Sequence, residues 1–357
     1  MRAYLYNLAT DKIGGFIPNI FKGFLFFLSL IYSLIVRSLI FFHRLRPYRL
    51  QCKVIAIGNI TLGGTGKTSL VDFVARYLKQ QGHKVAIISR GYKKKASSSN
   101  LGIENFQTMG DEPFMLKMNL KDIPVLVDGN RIRAAKLAIE DYGADTVILD
   151  DGFQQWGISK DLEIVTVDAT NPFGNAYLLP RGILREPPSS LKRADAFIFT
   201  KTNLNPYTQE VKDFLNSINP TALIFDSIHQ PVGFYKIEKP QEVLKTDVLK
   251  GKKVSVVCGI ADPDSFENLI ASLDIKIGLS FLFPDHHAYS KKDLEKVMEE
   301  SKKKNINIIV TTEKDAVRLT HFADIYRQLP MFVLRIELKI TKDEQEFRNR
   351  LLKLYSL

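Results

Sequence analysis

The stretch Lys53-Val54-Ile55-Ala56-Ile57-Gly58-Asn59-Ile60-Thr61-Leu62-Gly63-Gly64-Thr65-Gly66-Lys67-Thr68 decides how this chain is read. Its opening run is short, apolar and rich in β-branched residues, so it reads as a buried strand. The residues after it, Thr68–Gln80, carry Leu70, Phe73, Val74, Tyr77 and Leu78 on one helical face. Between strand and helix lies a glycine-rich turn ending in Gly66-Lys67-Thr68. Glycines let backbone N–H groups turn inward around phosphate oxygens, and the following helix offers its N-terminus to an anion. The strict phosphate-loop pattern G-x-x-x-x-G-K-S/T asks for glycine where this chain has Thr61, but the strand before and the helix after are both in place. Gly63, Gly64, Thr65, Gly66, Lys67 and Thr68 are therefore expected to bind a nucleotide, with Lys67 on the β/γ-phosphates and the Thr68 hydroxyl on Mg²⁺.

Working outward, strand-like and helix-like segments alternate. Lys84–Ser89, Ile123–Val127, Thr146–Leu149, Leu162–Val167 and Ala196–Thr200 read as further strands, and Arg131–Asp141 as a helix. Near-continuous apolar strands alternating with helices predict an α/β fold: a P-loop NTPase-like parallel sheet with helices on both faces. After a weakly patterned stretch at 232–250 the alternation restarts with Lys253–Cys258, Ile275–Phe281, Ile306–Val310 and Met331–Leu338. The predicted organisation is an N-terminal helical segment (1–45), a P-loop domain (46–231), a linker (232–250) and a smaller C-terminal α/β domain (251–357). Two loops stand out: the polar Lys93–Asn105, and Asn171–Ser190, which is long enough to suggest a functional loop.

The chain has 357 residues, a net charge of +11 and 45% hydrophobic residues. That balance suits a globular protein with an anionic partner, and charge alone does not choose among nucleic acid, a phosphorylated small molecule and an anionic membrane. Cys52 and Cys258 make neither a disulfide framework nor a zinc spacing and are expected to be buried, reduced thiols. Residues 16–42 differ from the rest. Gly23–Val36 is free of charge, bounded by Lys22 and Arg37, and followed by more apolar residues and by His43, Arg44 and Arg46. This pattern suits a helix lying in a headgroup region, with its bases on anionic lipid. A buried core helix and a single span are the competing readings.

A nucleotide site of this kind needs a carboxylate at the end of a neighbouring strand to hold the metal, and Asp150-Asp151 follow Thr146–Leu149. Two places offer a group to take a hydroxyl proton: Gly110-Asp111-Glu112-Pro113 and Asp285-His286-His287. Asp111 or Glu112 would otherwise cap the helix after it. Adjacent histidines face different ways, so His286 and His287 are not expected to chelate a metal together. Arg90, Arg131, Arg133, Arg181 and Arg185 follow predicted strands, where ligands of α/β sheets bind, and some should clamp phosphate.

These motifs together, with Ser89-Arg90-Gly91-Tyr92, Asp150-Asp151-Gly152-Phe153-Gln154, Leu179-Pro180-Arg181-Gly182-Ile183-Leu184-Arg185-Glu186-Pro187, Thr200-Lys201 and Phe283-Pro284-Asp285-His286, resemble the tetraacyldisaccharide 4'-kinase family. The resemblance implies transfer of the ATP γ-phosphate to the 4'-hydroxyl of a lipid A disaccharide precursor. It further implies work at the cytoplasmic face of the bacterial inner membrane, against its anionic lipid surface, with no nucleic acid and no obligate protein partner. By motif, Asp111 would be the catalytic carboxylate and His286 its partner. Thr68, Asp150, Asp151 and Glu186 would form the Mg²⁺ shell. Asn59, Tyr92, Arg131 and Arg185 would contact phosphate or substrate. Asp111 is expected on the P-loop domain and His286 on the second, so that catalysis needs a closed cleft. A P-loop kinase for another hydroxylated acceptor, or a membrane-bound regulatory ATPase, are the rival readings.

Overall fold

The computed structural model describes residues 8, 10–11, 13–90, 109–205, 208–322 and 329–356. Tyr92 and the polar stretch Lys93–Asn105 lie outside the described residues. The chain forms two compact units. The first lies within Met1–Arg90, Asp128–Ile228 and Ile340–Leu357, the second within Gly91–Val127 and His229–Lys339.

In chain order the elements are α1 (Phe16–Leu45), β1 (Lys53–Gly58), α2 (Lys67–Gln80), β2 (Val85–Ser89), α3 (Asp111–Asn119), β3 (Val125–Val127), α4 (Arg131–Tyr142), β4 (Thr146–Asp150) and β5 (Leu162–Asp168). There follow β6 (Ala196–Thr200), α5 (Gln209–Ile218), β7 (Leu223–Lys236), β8 (Lys253–Cys258), α6 (Pro263–Ala271), β9 (Lys276–Leu282), α7 (Lys291–Lys303), β10 (Ile309–Thr312), α8 (Glu313–Leu319), β11 (Met331–Ile340) and α9 (Glu344–Leu352). The expected linker at 232–250 is partly strand: β7 continues to Lys236, because Phe234 and Tyr235 have a core to enter.

In the first unit β2, β4, β1, β5, β6 and the start of β7 lie side by side, and every pairing among them is parallel. Every residue of β2, β4 and β6 is buried, as a sheet covered on both faces requires. Strand β1 has β4 on one side and β5 on the other. The chain leaves β1 toward β2, on the β4 side, and leaves β5 toward β6 on the other side, so a crevice opens at the carboxyl ends of β1 and β5, where α/β sheets bind ligands. Phe153, Val165, Phe197, Phe199 and Leu215 fill part of this unit's core. At its C-terminal end Phe347 of α9 packs edge-on to Phe225, and Arg348 stacks over the Tyr77 ring of α2.

Helix α1 runs unbroken for 30 residues. Only Leu25, Ser29 and Val36 of it are buried, while Phe27, Leu34 and Phe42 are 59%, 69% and 66% exposed. The core-helix reading is thus not supported for this segment: among the described residues no second layer covers its apolar face. Its inner side is tied to the loop before β6. Ser29 Oγ donates to Leu178 O at 2.8 Å and accepts from Arg181 N at 3.0 Å, and Tyr32 OH donates to Arg185 O at 2.9 Å.

In the second unit β11, β10, β8 and β9 are parallel neighbours. One core layer contains Val257, Leu294, Val297, Leu319 and Val333, the other Val254, Phe266, Ile270, Val310 and Leu334. Cys258 is buried and Cys52 is partly exposed, which corrects the expectation of two buried thiols. Burial pushes the thiols up, to about 12 for Cys258 and about 11 for Cys52, so neither is a thiolate at neutral pH.

Candidate active site

The nucleotide end of the first unit is built from the roots of β1 and β4. Ile57 sits opposite Asp150 in the parallel register, and Gly152 N donates to Ile57 O at 2.9 Å. The glycine loop and the Asp150-Asp151 pair therefore leave adjacent strands at the same level. Gly63 and Gly66 have φ of 113° and 78°, values that a side chain would strain. Helix α2 begins after Gly66 with no side chain capping it, which leaves its first N–H groups for an anion. The loop is held from below: Thr65 Oγ1 lies 2.7 Å from Thr166 Oγ1, and Thr200 Oγ1 donates to Thr65 O at 3.2 Å.

The charged groups here are arranged around Asn59. Its Oδ1 accepts from Lys67 Nζ at 3.2 Å and from the Arg185 guanidinium. Arg185 also grips Asp151 with two nitrogens, at 2.8 and 2.9 Å, and Lys67 Nζ stands 3.6 Å from the same carboxylate. Burial pushes Asp151 upward, but Lys67 and Arg185 outweigh it and hold the carboxyl below its ordinary range. Asp150 is buried and accepts from Ser89 Oγ at 3.1 Å. Arg131, only 3% exposed, braces the end of β4 by donating to Asp150 O at 3.4 Å and to Asp128 O at 3.0 Å.

Several expected contacts are placed differently. Asn59 is fully buried, so it organises Lys67 and Arg185 and offers no surface to a substrate. Arg131 is likewise a buried brace and not an exposed phosphate clamp. Arg133 pairs with Asp128 at 2.7 Å, and Arg181 with Asp11 at 2.9 Å. Glu186 has no exposed surface and its carboxylate is already engaged: Gln154 Nε2 donates at 3.0 Å, Trp156 Nε1 at 3.1 Å and Arg193 at 3.0 Å. It is a structural acceptor inside the loop, which speaks against a place in the metal shell. Thr68, Asp150 and Asp151 remain. Their oxygens are hard donors, and two carboxylates beside a phosphate loop fit Mg²⁺, which binds through one or two carboxylates plus phosphate oxygens. Among the described residues no cluster of three or more His, Cys, Asp or Glu makes an all-protein cage.

The second unit carries a separate acid–imidazole pair. Asp111 is the first residue of α3, and Gly110 holds the N-cap position before it, so Asp111 is not the capping residue. Its Oδ2 lies 3.1 Å from His286 Nδ1 and 3.2 Å from Arg318 Nε. Burial raises Asp111, and the His286 hydrogen bond with the Arg318 and Lys314 cations lowers it further than burial lifts it. His286 sits in the left-handed region, with φ of 58°. His287 turns away, bonding Asp293 at 3.1 Å and stacking on Phe283 at 4.6 Å, as neighbouring residues must. Asp111 and His286 thus belong to one compact unit, and their pairing needs no meeting of two domains, contrary to the sequence expectation.

Sequence reasoning overlooked Lys314 and Arg318. Their signal was the run Thr311-Thr312-Glu313-Lys314-Asp315-Ala316-Val317-Arg318, which begins in an apolar strand and turns at once into a charged helix. It also overlooked the buried Lys201–Asp168 ion pair at 2.6 Å, which joins the carboxyl ends of β6 and β5.

A strand, a glycine loop with Lys67 and Thr68, and strand-end carboxylates beside them form the working parts of a P-loop phosphotransferase, and that is the class this fold defines. Residues 21–356 match the family model of LpxK, tetraacyldisaccharide-1-P 4'-kinase. A tetraacyldisaccharide 4'-kinase from Halothermothrix orenii is 34% identical over 98% of both chains, and one from Syntrophobacter fumaroxidans is 37% identical over 86% of this chain and 81% of its own. The crystal structure of LpxK from Aquifex aeolicus in complex with ATP superposes with a TM-score of 0.75 at 27% identity, covering 94% of this chain and all of that one. The chain belongs to this family, the ATP-dependent tetraacyldisaccharide 4'-kinases of lipid A biosynthesis, with ATP as phosphate donor and Mg²⁺ as its usual partner.

Proposed function

We propose that Asp111 is the base for the acceptor's 4'-hydroxyl and that Lys67, Thr68, Asp150, Asp151 and Arg185 handle the phosphates and metal. The acceptor oxygen attacks the γ-phosphorus and its proton passes to Asp111. The bond from the γ-phosphorus to the bridging oxygen breaks, and ADP leaves with that electron pair. His286 holds Asp111 in place and shares the charge change at Oδ2. Lys67 and Arg185 exchange Asp151 for phosphate oxygens, and backbone N–H groups of the glycine loop meet the same anion. Thr68, Asp150 and Asp151 would hold Mg²⁺, which would supply positive charge against the transferring phosphate.

The 3.1 Å Asp111–His286 bond carries this reading, because a carboxylate backed by an imidazole is a base with a built-in partner. For one transfer, the acceptor hydroxyl must meet both the Asp111 carboxylate and the γ-phosphate. The test is chromatography of lipid labelled from γ-labelled ATP. Asp111→Asn should lower turnover by about 10²–10⁴-fold, the range of a lost general base, while ATP binding holds. Parallel loss of ATP binding would move Asp111 out of that role.

We also infer that α1 lies on the anionic lipid surface at the cytoplasmic face of the inner membrane, where ATP is available and the acyl chains of the acceptor reside. Its uncovered apolar face, with Lys22, Arg37, Arg44 and Arg46 along its length and just past its end, supports an in-plane helix. Its length and composition also satisfy a span, and the docking of Ser29 and Tyr32 on the loop favours the in-plane arrangement. Flotation with vesicles containing phosphatidylglycerol tests this; equal recovery with and without residues 1–45 would exclude it.

A further inference from the structure

We propose that Arg318 is the positioning residue of the Asp111–His286 pair, fixing both the Asp111 oxygen that faces the acceptor and the turn that presents the imidazole. The inference rests on Asp111 being the base and adds the group that aims it.

Arg318 is 6% exposed and spends its guanidinium on four partners besides Asp111. Its NH1 donates to His287 O at 3.1 Å and its NH2 to Gly259 O at 3.1 Å, and NH2 pairs as an ion with Asp315 Oδ1 at 3.1 Å. Nε also reaches Lys314 O at 3.4 Å. Asp315 is itself immobile. It has no exposed surface and accepts from Gly259 N, from Tyr289 OH at 2.8 Å and from Thr312 Oγ1 at 2.6 Å. The guanidinium is thus clamped from behind, and its Nε edge meets Asp111 Oδ2 at 3.2 Å.

Two consequences follow for the pair. His286 and Arg318 both hold Oδ2, so among the described residues Oδ1 is the Asp111 oxygen left to receive a proton. The left-handed turn at His286 is unfavourable for a side-chain-bearing residue and persists only where neighbours impose it. His286 N donates to Gly259 O, and Arg318 binds that same carbonyl and the one of His287, so the turn is pinned on both sides by one side chain. A fork of fixed donors can do this; a single ammonium cannot.

The charged groups around Asp111 are Glu112 on its own helix, Asp285 and His286 on the loop after β9, and Lys314, Asp315 and Arg318 on α8. Lys314 is shared by Glu112 at 3.0 Å and Asp285 at 3.6 Å, whereas Arg318, among the described lysines and arginines, is the one in direct contact with the Asp111 carboxylate. Removing Arg318 removes a cation that favours the ionised carboxylate, so the acid limb of turnover should move to higher pH.

The experiment is the pH profile of kcat at saturating ATP and lipid for the full chain, for Arg318→Gln and for Arg318→Lys. Arg318→Gln should lower kcat at least about tenfold, leave KM for ATP within about threefold, and raise the acid limb by about one pH unit. Arg318→Lys keeps the charge and loses the fork; it should keep the wild-type limb with a several-fold lower kcat and, with buried carbonyls left unpaired, a lower Tm. An Arg318→Gln limb at the wild-type position, beside an inactive Asp111→Asn, would overturn the proposal and leave the base assignment standing. Should Arg318→Gln fail to fold, a wild-type kcat for Arg318→Lys overturns it instead. An Asp111→Asn enzyme with wild-type kcat would instead defeat the underlying reading.

Discussion

Arg185 lies across Asp151 with two parallel hydrogen bonds, at 2.8 and 2.9 Å, while the same guanidinium donates to the buried Asn59. A cation suited to phosphate and an acid suited to metal neutralise one another, and Asn59 keeps Lys67 beside them. Entry of ATP with its metal must exchange these partners. Arg185→Lys offers one point charge where a planar fork is used. It should reduce kcat/KM for ATP by about 10–100-fold, corresponding to roughly 1.4–2.8 kcal/mol of lost charge-assisted bonding. Initial rates against ATP concentration measure this; a change below twofold would contradict it.

The Asp151 carboxyl is held below its ordinary range by Lys67 and Arg185. Its folded pKa therefore lies under the unfolded value of about 3.9. The associated stability is complete above the unfolded value and fades as pH falls through the folded one. Asp151→Asn should consequently lose less Tm than the wild type between about pH 5 and pH 3. Equal losses in the two proteins would show that the pair does not contribute to acid stability.

Glu186 faces Gln154, Trp156 and Arg193 and has no solvent. Glu186→Ala leaves the Arg193 cation buried without its closest counterion and should destabilise the protein by about 3–5 kcal/mol, read from urea midpoints. Glu186→Gln tests the other reading. If Glu186 does not touch the metal, the Mg²⁺ concentration for half-maximal rate stays within about threefold; a shift of tenfold or more would return it to the metal shell.

Phe27 and Leu34 on α1 are 59% and 69% exposed. Replacing both with Glu should leave Tm unchanged, since neither supports the core. Each apolar side chain buried in lipid is worth about 1.5–3 kcal/mol, so binding to vesicles should fall at least about tenfold. Unchanged vesicle binding would mean that another surface meets the membrane.

Much of the fold was readable in the chain. Apolar runs such as Val54–Ile57 and Val147–Leu149 appear as strands buried on both faces. Helices α2 and α4 begin within a residue of where periodicity put them. The segment at 16–42 was legible as unusual, and the uncovered helix explains why. At the candidate site, the glycine loop and the Asp150-Asp151 step were legible because they are local. The burial of Asn59, Glu186 and Arg131 was not legible for one reason: a motif tells which residues cluster, not which of them face the solvent. Glu186 looked like a ligand in a charged loop, and tertiary packing closed Trp156 and Arg193 over it.

By itself the sequence determined the near-continuous apolar runs of the strands and the helical burial patterns, the backbone freedom at Gly63 and Gly66, and the placing of a lysine and a hydroxyl at the start of α2. These follow from local sterics and from which side chains avoid water, both written into neighbouring residues. Only the tertiary structure decided the geometry by which Asp111 meets His286, 175 residues away, that Arg318 contacts Asp111 and the carbonyls of Gly259 and His287 beside it, and that these residues share a unit. A buried hydrogen bond or ion pair is favourable only in one geometry. That geometry is set by which strand ends and helix starts come together once the apolar core has formed.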